Sequence, residues 1–237
     1  MNKQIRSGFT LMETLLAIAV TGILLSTFLA VFGPAANTIR RAISVQEADR
    51  LATALEQELS TLRQEEAGQF NTSFDKAFEW VSNSGSLSNA TILFNYRGDT
   101  GQIVNGQLAP FVGVGSPGED YIVQSVVRNL GDTGSDLENL LQAVEGSAYV
   151  VQMRQLVQNA NGGLTPAQAG ASLSSSQGNA ATNAADFDDA VIAFQADFYA
   201  LGSNTFGYIN NTLRQGGTDF TQILGEPLFS RAMAVRR

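Results

Sequence analysis

The sequence predicts an α+β protein in which one long N-terminal helix packs on an antiparallel β-sheet. Three observations predict it. From Leu11 to Phe32 the chain is apolar almost without interruption. From Ile39 to Leu62 apolar residues recur at helical spacing, and from Thr91 onward short apolar runs alternate with Gly, Asn and Asp clusters. Helices first and strands later is an α+β layout.

The apolar run defines the first element. Phe9 to Phe32 is 24 residues, about 36 Å as a helix, which crosses a bilayer with some tilt. A conventional secretory signal has a shorter apolar core and a small-residue cleavage site. Glu13 stands near the start of this run. A carboxylate in hydrocarbon costs several kcal/mol, so its presence there asks for a partner. Gly33-Pro34 predicts an interruption or kink. The helical pattern then resumes: Ile39, Ala42, Ile43, Val45, Ala48, Leu51, Ala52, Leu55, Leu59 and Leu62 form an apolar stripe. Arg40, Arg41, Glu47, Asp49, Arg50, Glu56, Glu58 and Arg63 occupy the other face, and Gly68 offers a stop after Glu66. The chain thus divides into residues 1–8, a helix over 9–66 with its membrane segment at 9–32, and a head over 67–237. The head, roughly 170 residues, is large enough for its own core.

A second helix is expected from about Thr72 to Val81, with Trp80 in the core. Strands are expected at Thr91–Tyr96 and Tyr121–Val127, each leading to a Gly-Asp-Thr-Gly turn at Gly98–Gly101 and Gly131–Gly134. Asp136 to Glu145 reads as a short helix. Tyr149, Val151, Met153 and Val157 alternate as one face of a half-buried strand. Between Asn159 and about Phe187 the composition shifts to Ala, Ser, Gly, Asn and Gln, which reads as a flexible surface segment. Ala190–Tyr199 resumes the sheet near its centre. Phe229, Met233 and Val235 alternate around Arg231 in a last strand, and the sheet packs on the helix stripe from Val45 to Leu62.

The N-terminus resembles the class III signal of type IV prepilins and of type II secretion pseudopilins. The resemblance lies in Lys3 and Arg6 in a short leader, the Gly8-Phe9 junction, Thr10-Leu11, Glu13 at the fifth position after that junction, and Gly22. It covers about the first tenth of the chain. It implies a pilin-like fold, cleavage between Gly8 and Phe9 by a membrane peptidase, and N-methylation of Phe9. It also implies assembly through an inner-membrane platform into a filament of bundled N-terminal helices. Glu13 would then meet the new amine of a neighbouring subunit, the pair setting axial register because an offset leaves both charges unpaired in an apolar core. Gly22 would give close helix approach or local flexibility. Many pilins place proline where this chain has Ala30, so any kink falls elsewhere. The implied product is a structural pilus subunit, major or minor, or a pseudopilin, and no enzyme. Its partners are other pilin subunits and the membrane. It would wait in a bacterial inner membrane before joining an extracellular pilus or a periplasmic pseudopilus. A membrane-anchored binding domain is the remaining alternative.

Composition narrows the chemistry. The chain has no Cys and no His, and a formal net charge of −8. That excludes disulfides, thiolate chemistry, Ser-His-Asp triads and imidazole zinc sites. It also offers no basic footprint for nucleic acid. Asp132, Asp136 and Glu138, and separately Asp186, Asp188 and Asp189, have oxygen ligands at spacings that suit Ca²⁺. Neither run matches an EF-hand, so turn and cap roles are the preferred reading and no cofactor is required. Arg97-Gly98-Asp99 spells an integrin-type tripeptide, and three Asn-x-Ser/Thr triplets begin at Asn71, Asn89 and Asn210. Each is a short and therefore weak signal.

Overall fold

A computed structural model describes residues 10–63, 66–104, 107–131 and 136–237, with Asp136 described by its backbone alone. The elements are α1 (Leu11–Ser60), α2 (Ser73–Asn83), a 3₁₀ turn (Leu87–Asn89), β1 (Thr91–Val104), β2 (Gln107–Pro110), β3 (Tyr121–Asn129), α3 (Asp136–Leu141), β4 (Val144–Gln158) and β5 (Leu164–Pro166). They continue with β6 (Leu173–Ser174), β7 (Ala180–Ala181), a 3₁₀ turn (Ala184–Asp186), β8 (Val191–Ala200), α4 (Phe206–Tyr208) running into a π turn (Ile209–Leu213), α5 (Phe220–Leu224) and β9 (Phe229–Arg236). The protein is α+β, with a long N-terminal helix packed on an antiparallel sheet in the pilin-like manner. Contacts divide the chain into two units, Met1–Ile43 and Ser44–Arg237.

In the first unit α1 is apolar on all sides. Fifteen large apolar side chains between Leu11 and Ile43 are exposed, far more than a water-facing surface carries. Its hydroxyls turn inward: Thr14, Thr21, Ser26 and Thr27 donate to the carbonyls of Leu11, Ala17, Gly22 and Ile23 at 2.7–2.9 Å. Polar groups so occupied suit a helix in hydrocarbon, where no water is present to pair them. α1 is the one helix among the described residues long and apolar enough to cross a membrane, and it can anchor the protein there. The expected interruption at Gly33-Pro34 is not seen. α1 runs through Pro34, and Thr38 Oγ1 donates to the Pro34 carbonyl at 3.0 Å. Proline removes one backbone bond, and the long helix tolerates that loss.

In the second unit the predicted stripe is the buried one: Ala48, Leu51, Ala52, Leu55 and Leu59 are fully enclosed. Each leucine contributes roughly 1.5–3 kcal/mol by leaving water. The helix stops at Ser60 rather than near Glu66. There Ser60 and Thr61 hydroxyls bond back to the carbonyls of Glu56 and Gln57, and the charged residues beyond are drawn into tertiary contacts. Gln64 and Glu65, in the predicted helix end, lie outside the described residues.

The main sheet is antiparallel throughout. β1 lies between β3 and β4, and β4, β8 and β9 follow; β2 pairs with the far end of β1, and β5 with the end of β4. Both faces are covered. α1, α2 and the β6–β7 hairpin with Phe187 pack on one face against Leu93, Tyr149, Val151, Phe194 and Phe198. α3, the segment from Ile209 to Phe220, and Leu87 pack on the other, against Ile92, Phe94, Val150 and Tyr199.

That second layer corrects the half-buried reading of β4. Residues 148–153 are buried without alternation, as a strand covered on both faces must be. α3 likewise ends at Leu141, and Val144 and Glu145 belong to β4. The turn expected at Gly98–Gly101 falls inside β1, which continues to Val104 but changes register there. Glycine serves close approach there: a Cβ on Gly98 would lie 2.9 Å from the Leu108 Cβ, and the β1–β2 register is irregular between Gly98 and Ile103. In the second such motif, residues 132–134 lie outside the described residues. The segment 159–187, read as a surface excursion, is tied down. Leu173, Ala181, Ala184 and Phe187 enter the first core, and the Gln155 amide clamps the Ser174 backbone with bonds of 2.6 and 2.8 Å.

Candidate functional site

Gly8 and Phe9, the predicted processing junction, lie outside the described residues. Glu13 is described and exposed. It closes a loose capping box with Thr10: the Thr10 amide donates to Glu13 Oε2 at 3.4 Å, and the Glu13 amide donates to Thr10 Oγ1 at 3.3 Å. The pattern Thr10-x-x-Glu13 is the sequence signature of such a box, a local role that accompanies any intermolecular one. Gly22 has nothing within 4 Å of the position of an added Cβ. Nothing in its own chain requires glycine there, so any close approach involves another helix.

Among the described residues the acidic candidates do not converge on one point. Asp132 lies outside the described residues, the side chain of Asp136 is not described, and Glu138 is exposed on α3. Asp186 accepts from the Asn183 amide side chain at 2.6 Å, and Asp189 accepts from the amide and hydroxyl of Ser176 at 2.6 and 2.7 Å. Asp188 accepts from Asn179 Nδ2 at 3.3 Å. These are turn and cap bonds holding the β6–β7 hairpin. Among the described residues no three Asp or Glu converge as metal ligands. Arg97 and Asp99 of the integrin-type tripeptide are held in β1: Arg97 faces the Gly113 carbonyl and Glu145, and Asp99 Oδ1 accepts from the Gly101 amide at 2.8 Å.

The charged constellations that do form anchor α1 in the head. Lys76, fully buried, contacts Glu58, reaches Glu66 at 2.8 Å, and lies 4.9 Å from the centre of the Trp80 ring. Arg63 contacts the same Glu58 and donates to the Val127 carbonyl at 3.2 Å, covering part of the free edge of β3. Burial alone would raise the Glu66 pKa. The Lys76 and Arg63-amide hydrogen bonds, with the charges of Lys76 and Arg63, outweigh it and hold the carboxyl below its usual range.

A second anchor lies at the other end of the packed stripe. The buried Tyr149 hydroxyl donates to Glu47 Oε2 at 2.9 Å, and burial, then this bond to a carboxylate, push the phenol well above its ordinary value. Room for Glu47 comes from Gly146, whose φ is +79° and whose added Cβ would stand 2.6 Å from Glu47 Oε1. Arg231 of β9 bridges Asp49 and Glu56, each at 3.3 Å. On the other face of the sheet Asp197, 2% exposed, is saturated by Arg154, Gln195 and Ser230.

The sequence pattern assigned Glu47, Glu58 and Arg63 to the solvent face of the stem, whereas they are its lateral fastenings. Lys76 carried an unused signal, being the one lysine outside the predicted leader. These are groups that hold a helix at fixed depth and rotation. Comparison with family models, with curated proteins and with solved structures finds no match.

Proposed function

We propose that this protein is a structural subunit of a type IV pilus, or of the related pseudopilus, stored in a bacterial inner membrane and drawn into a filament of bundled N-terminal helices. The observation that carries the reading is α1 itself: one helix with 33 residues of unburied, largely apolar surface up to Ile43, followed by a stripe fastened to a folded head. An apolar helix of this kind requires lipid or other helices around it. The resemblance at Gly8-Phe9 and Glu13 supports processing and assembly. On this reading a peptidase cuts between Gly8 and Phe9, Phe9 is methylated, and Glu13 pairs with the amine of an incoming neighbour. The fastenings at Glu47, Arg231 and Lys76 then transmit helix position to the head, so that register in the bundle sets register among heads.

Intact mass of the protein from its native host tests processing. A chain starting at methylated Phe9 is expected; an intact Met1, or cleavage after Ala36, would end this reading in favour of a plain membrane-anchored domain. The abundance of the protein in purified long surface filaments, against short periplasmic ones, separates pilus from pseudopilus.

A further inference from the structure

β3 is an edge strand with a gap in its protection. Among the described residues it pairs along its length with β1 alone. The Thr100 amide donates to the Asp120 carbonyl and the Leu130 amide to the Ala90 carbonyl, so the even-numbered residues of β3 exchange bonds with β1. The odd-numbered ones turn their backbone groups outward. Both ends of that outer row are closed: the Tyr121 carbonyl accepts from the Gly118 amide at 2.8 Å, and the Val127 carbonyl accepts from Arg63 at 3.2 Å and Arg128 at 3.0 Å. Between them stand the amides and carbonyls of Val123 and Ser125 and the Val127 amide, and no described backbone group pairs with these. A charge, a proline or a bulge commonly blunts such an edge, and residues 122–127 have none of the three.

The open stretch lies in a groove. A depression of about 950 Å³ follows it, walled by α1 on one face of the sheet and by Tyr96, Gln107 and Gln124 on the other. The second wall is fixed: the Tyr96 hydroxyl lies 3.0 Å from Gln124 Oε1, and Arg128 donates to Gln107 Oε1 at 3.0 Å. Its charges are unbalanced. Arg50, Arg63 and Arg128 line the groove against a single acid, Glu58, which already meets Lys76 and Arg63. Arg50 is exposed and makes no ion pair among the described residues. In a chain of net charge −8 this is a local excess of positive charge. An open edge takes an extended segment through its backbone, and the flanking side chains select which one. Positive walls select carboxylates.

We propose that the β3 edge is a docking site for an extended acidic segment of another protein, which adds as a strand beside Val123–Val127. The amide and carbonyl of Val123, those of Ser125, and the Val127 amide offer it a row of backbone bonds about 17 Å long. Its side chains alternate between the two walls, so carboxylates on one side meet Arg50 and on the other Arg128. A foreign segment is favoured over a second copy by charge. β3 and β9, the long outer strands of the sheet, carry arginine and no acid, so setting either against the β3 edge of another copy brings like charges together. The inference rests on the head alone and not on filament assembly.

The test titrates the full chain, in neutral detergent, against short fluorescent peptides in which Glu or Lys alternates with Thr, read by polarisation. The Glu-Thr peptide is expected to bind, and the Lys-Thr peptide to bind at least about tenfold more weakly. A Glu-Thr peptide N-methylated at every residue keeps its charge and loses its backbone donors, and it is expected to lose binding by a similar factor. Arg50→Ala should weaken the Glu-Thr peptide roughly threefold. Ser125→Pro removes an outward donor without touching the ladder to β1, and should abolish binding while the urea midpoint read from Trp80 shows a folded head. Equal binding of the two charged peptides, undiminished binding of the N-methylated one, or no binding at about 1 mM overturns the proposal. So does self-association of the parent that Ser125→Pro removes, because the edge would then belong to a second copy. The peptide comparisons use the parent chain and so decide whether or not the proline variant folds. None of these results depends on leader cleavage or filaments, so failure here leaves the proposed function standing.

Discussion

Replacing Lys76 by Met tests whether the charges beyond α1 hold the helix in the head. The side chain has no exposed surface and carries a single positive charge between Glu58 and Glu66, whose side chains are 14% and 13% exposed. Removing one partner of a buried pair costs about 3–5 kcal/mol, chiefly because the remaining charge is left uncompensated. Arg63 stays on Glu58, so the loss should fall near the lower figure, about 3 kcal/mol. Met preserves most of the packing on Trp80. For a head of this size that corresponds to a fall in Tm of about 6–12 °C. Trp80 is the only tryptophan and lies against Lys76, so its fluorescence during urea unfolding of the full chain in detergent reports the transition locally. The pH dependence supplies the sharper reading. The folded pKa of Glu66 lies below its ordinary value of 4.5, so its contribution is present above that pH and is lost as pH falls through the lowered value. Lys76→Met should flatten this acid limb. A variant that unfolds within 1 kcal/mol of the parent on the urea scale, or keeps the full acid limb, refutes the argument.

Three further outcomes follow from the same geometry. Leu55→Ala, at a fully buried position of the stripe, should lower stability by about 2–5 kcal/mol in the same urea assay. Gly146→Ala meets both an unfavourable φ of +79° and Glu47 Oε1 at 2.6 Å; it should cost about 1–3 kcal/mol, and pairing it with Glu47→Ala should recover part of that loss. Because the Tyr149 pKa is raised above 10.0, the associated stability is complete below that pH and is lost as pH rises through the folded value. Burial raises Tyr96 and Tyr199 as well, so phenolate absorbance should show a late-ionising fraction of the tyrosines, and Tyr149→Phe should reduce that fraction by one residue's share.

Much of the first face of the sheet was legible because its signals are periodic. All five buried residues of the α1 stripe, a second helix from about Thr72, and strands near Tyr121, Tyr149 and Ala190 follow from the residue pattern. The second face was not. Ile209, Leu213 and Phe220 come from short irregular turns with too few residues to show a period. Without that layer Tyr149-Val150-Val151 reads as half-buried, although three consecutive apolar residues are what a strand covered twice requires. Gly98 reads as a turn in sequence because glycine marks both turns and close strand approach, and Leu108 packs against it only in three dimensions. The fastenings of α1 were hidden for a related reason. A helical wheel puts Glu47 and Glu58 at the margin of the stripe, and whether a marginal charge meets water, Tyr149 or Lys76 depends on the other elements.

Glu13 has a local role and a proposed intermolecular one, and the two separate experimentally. Its bonds with Thr10 are long, 3.3–3.5 Å, and such a box is worth about 1 kcal/mol to a helix start. If capping were its whole purpose, Glu13→Gln, whose amide oxygen can still accept from the Thr10 amide, would fray the first turn of α1 no more than Thr10→Ala and would assemble at least as well. A pairing role predicts a split. Thr10→Ala frees the carboxylate without removing its charge and should leave filament yield near that of the parent. Glu13→Gln keeps the shape and loses the charge, so the neighbour's amine goes unpaired in an apolar bundle, a penalty of several kcal/mol, and incorporation should fall by an order of magnitude or more. Filament yield for the two variants at matched membrane levels is the measurement. A defect for Glu13→Gln no larger than that for Thr10→Ala would assign Glu13 to the helix cap alone and remove the register mechanism with it.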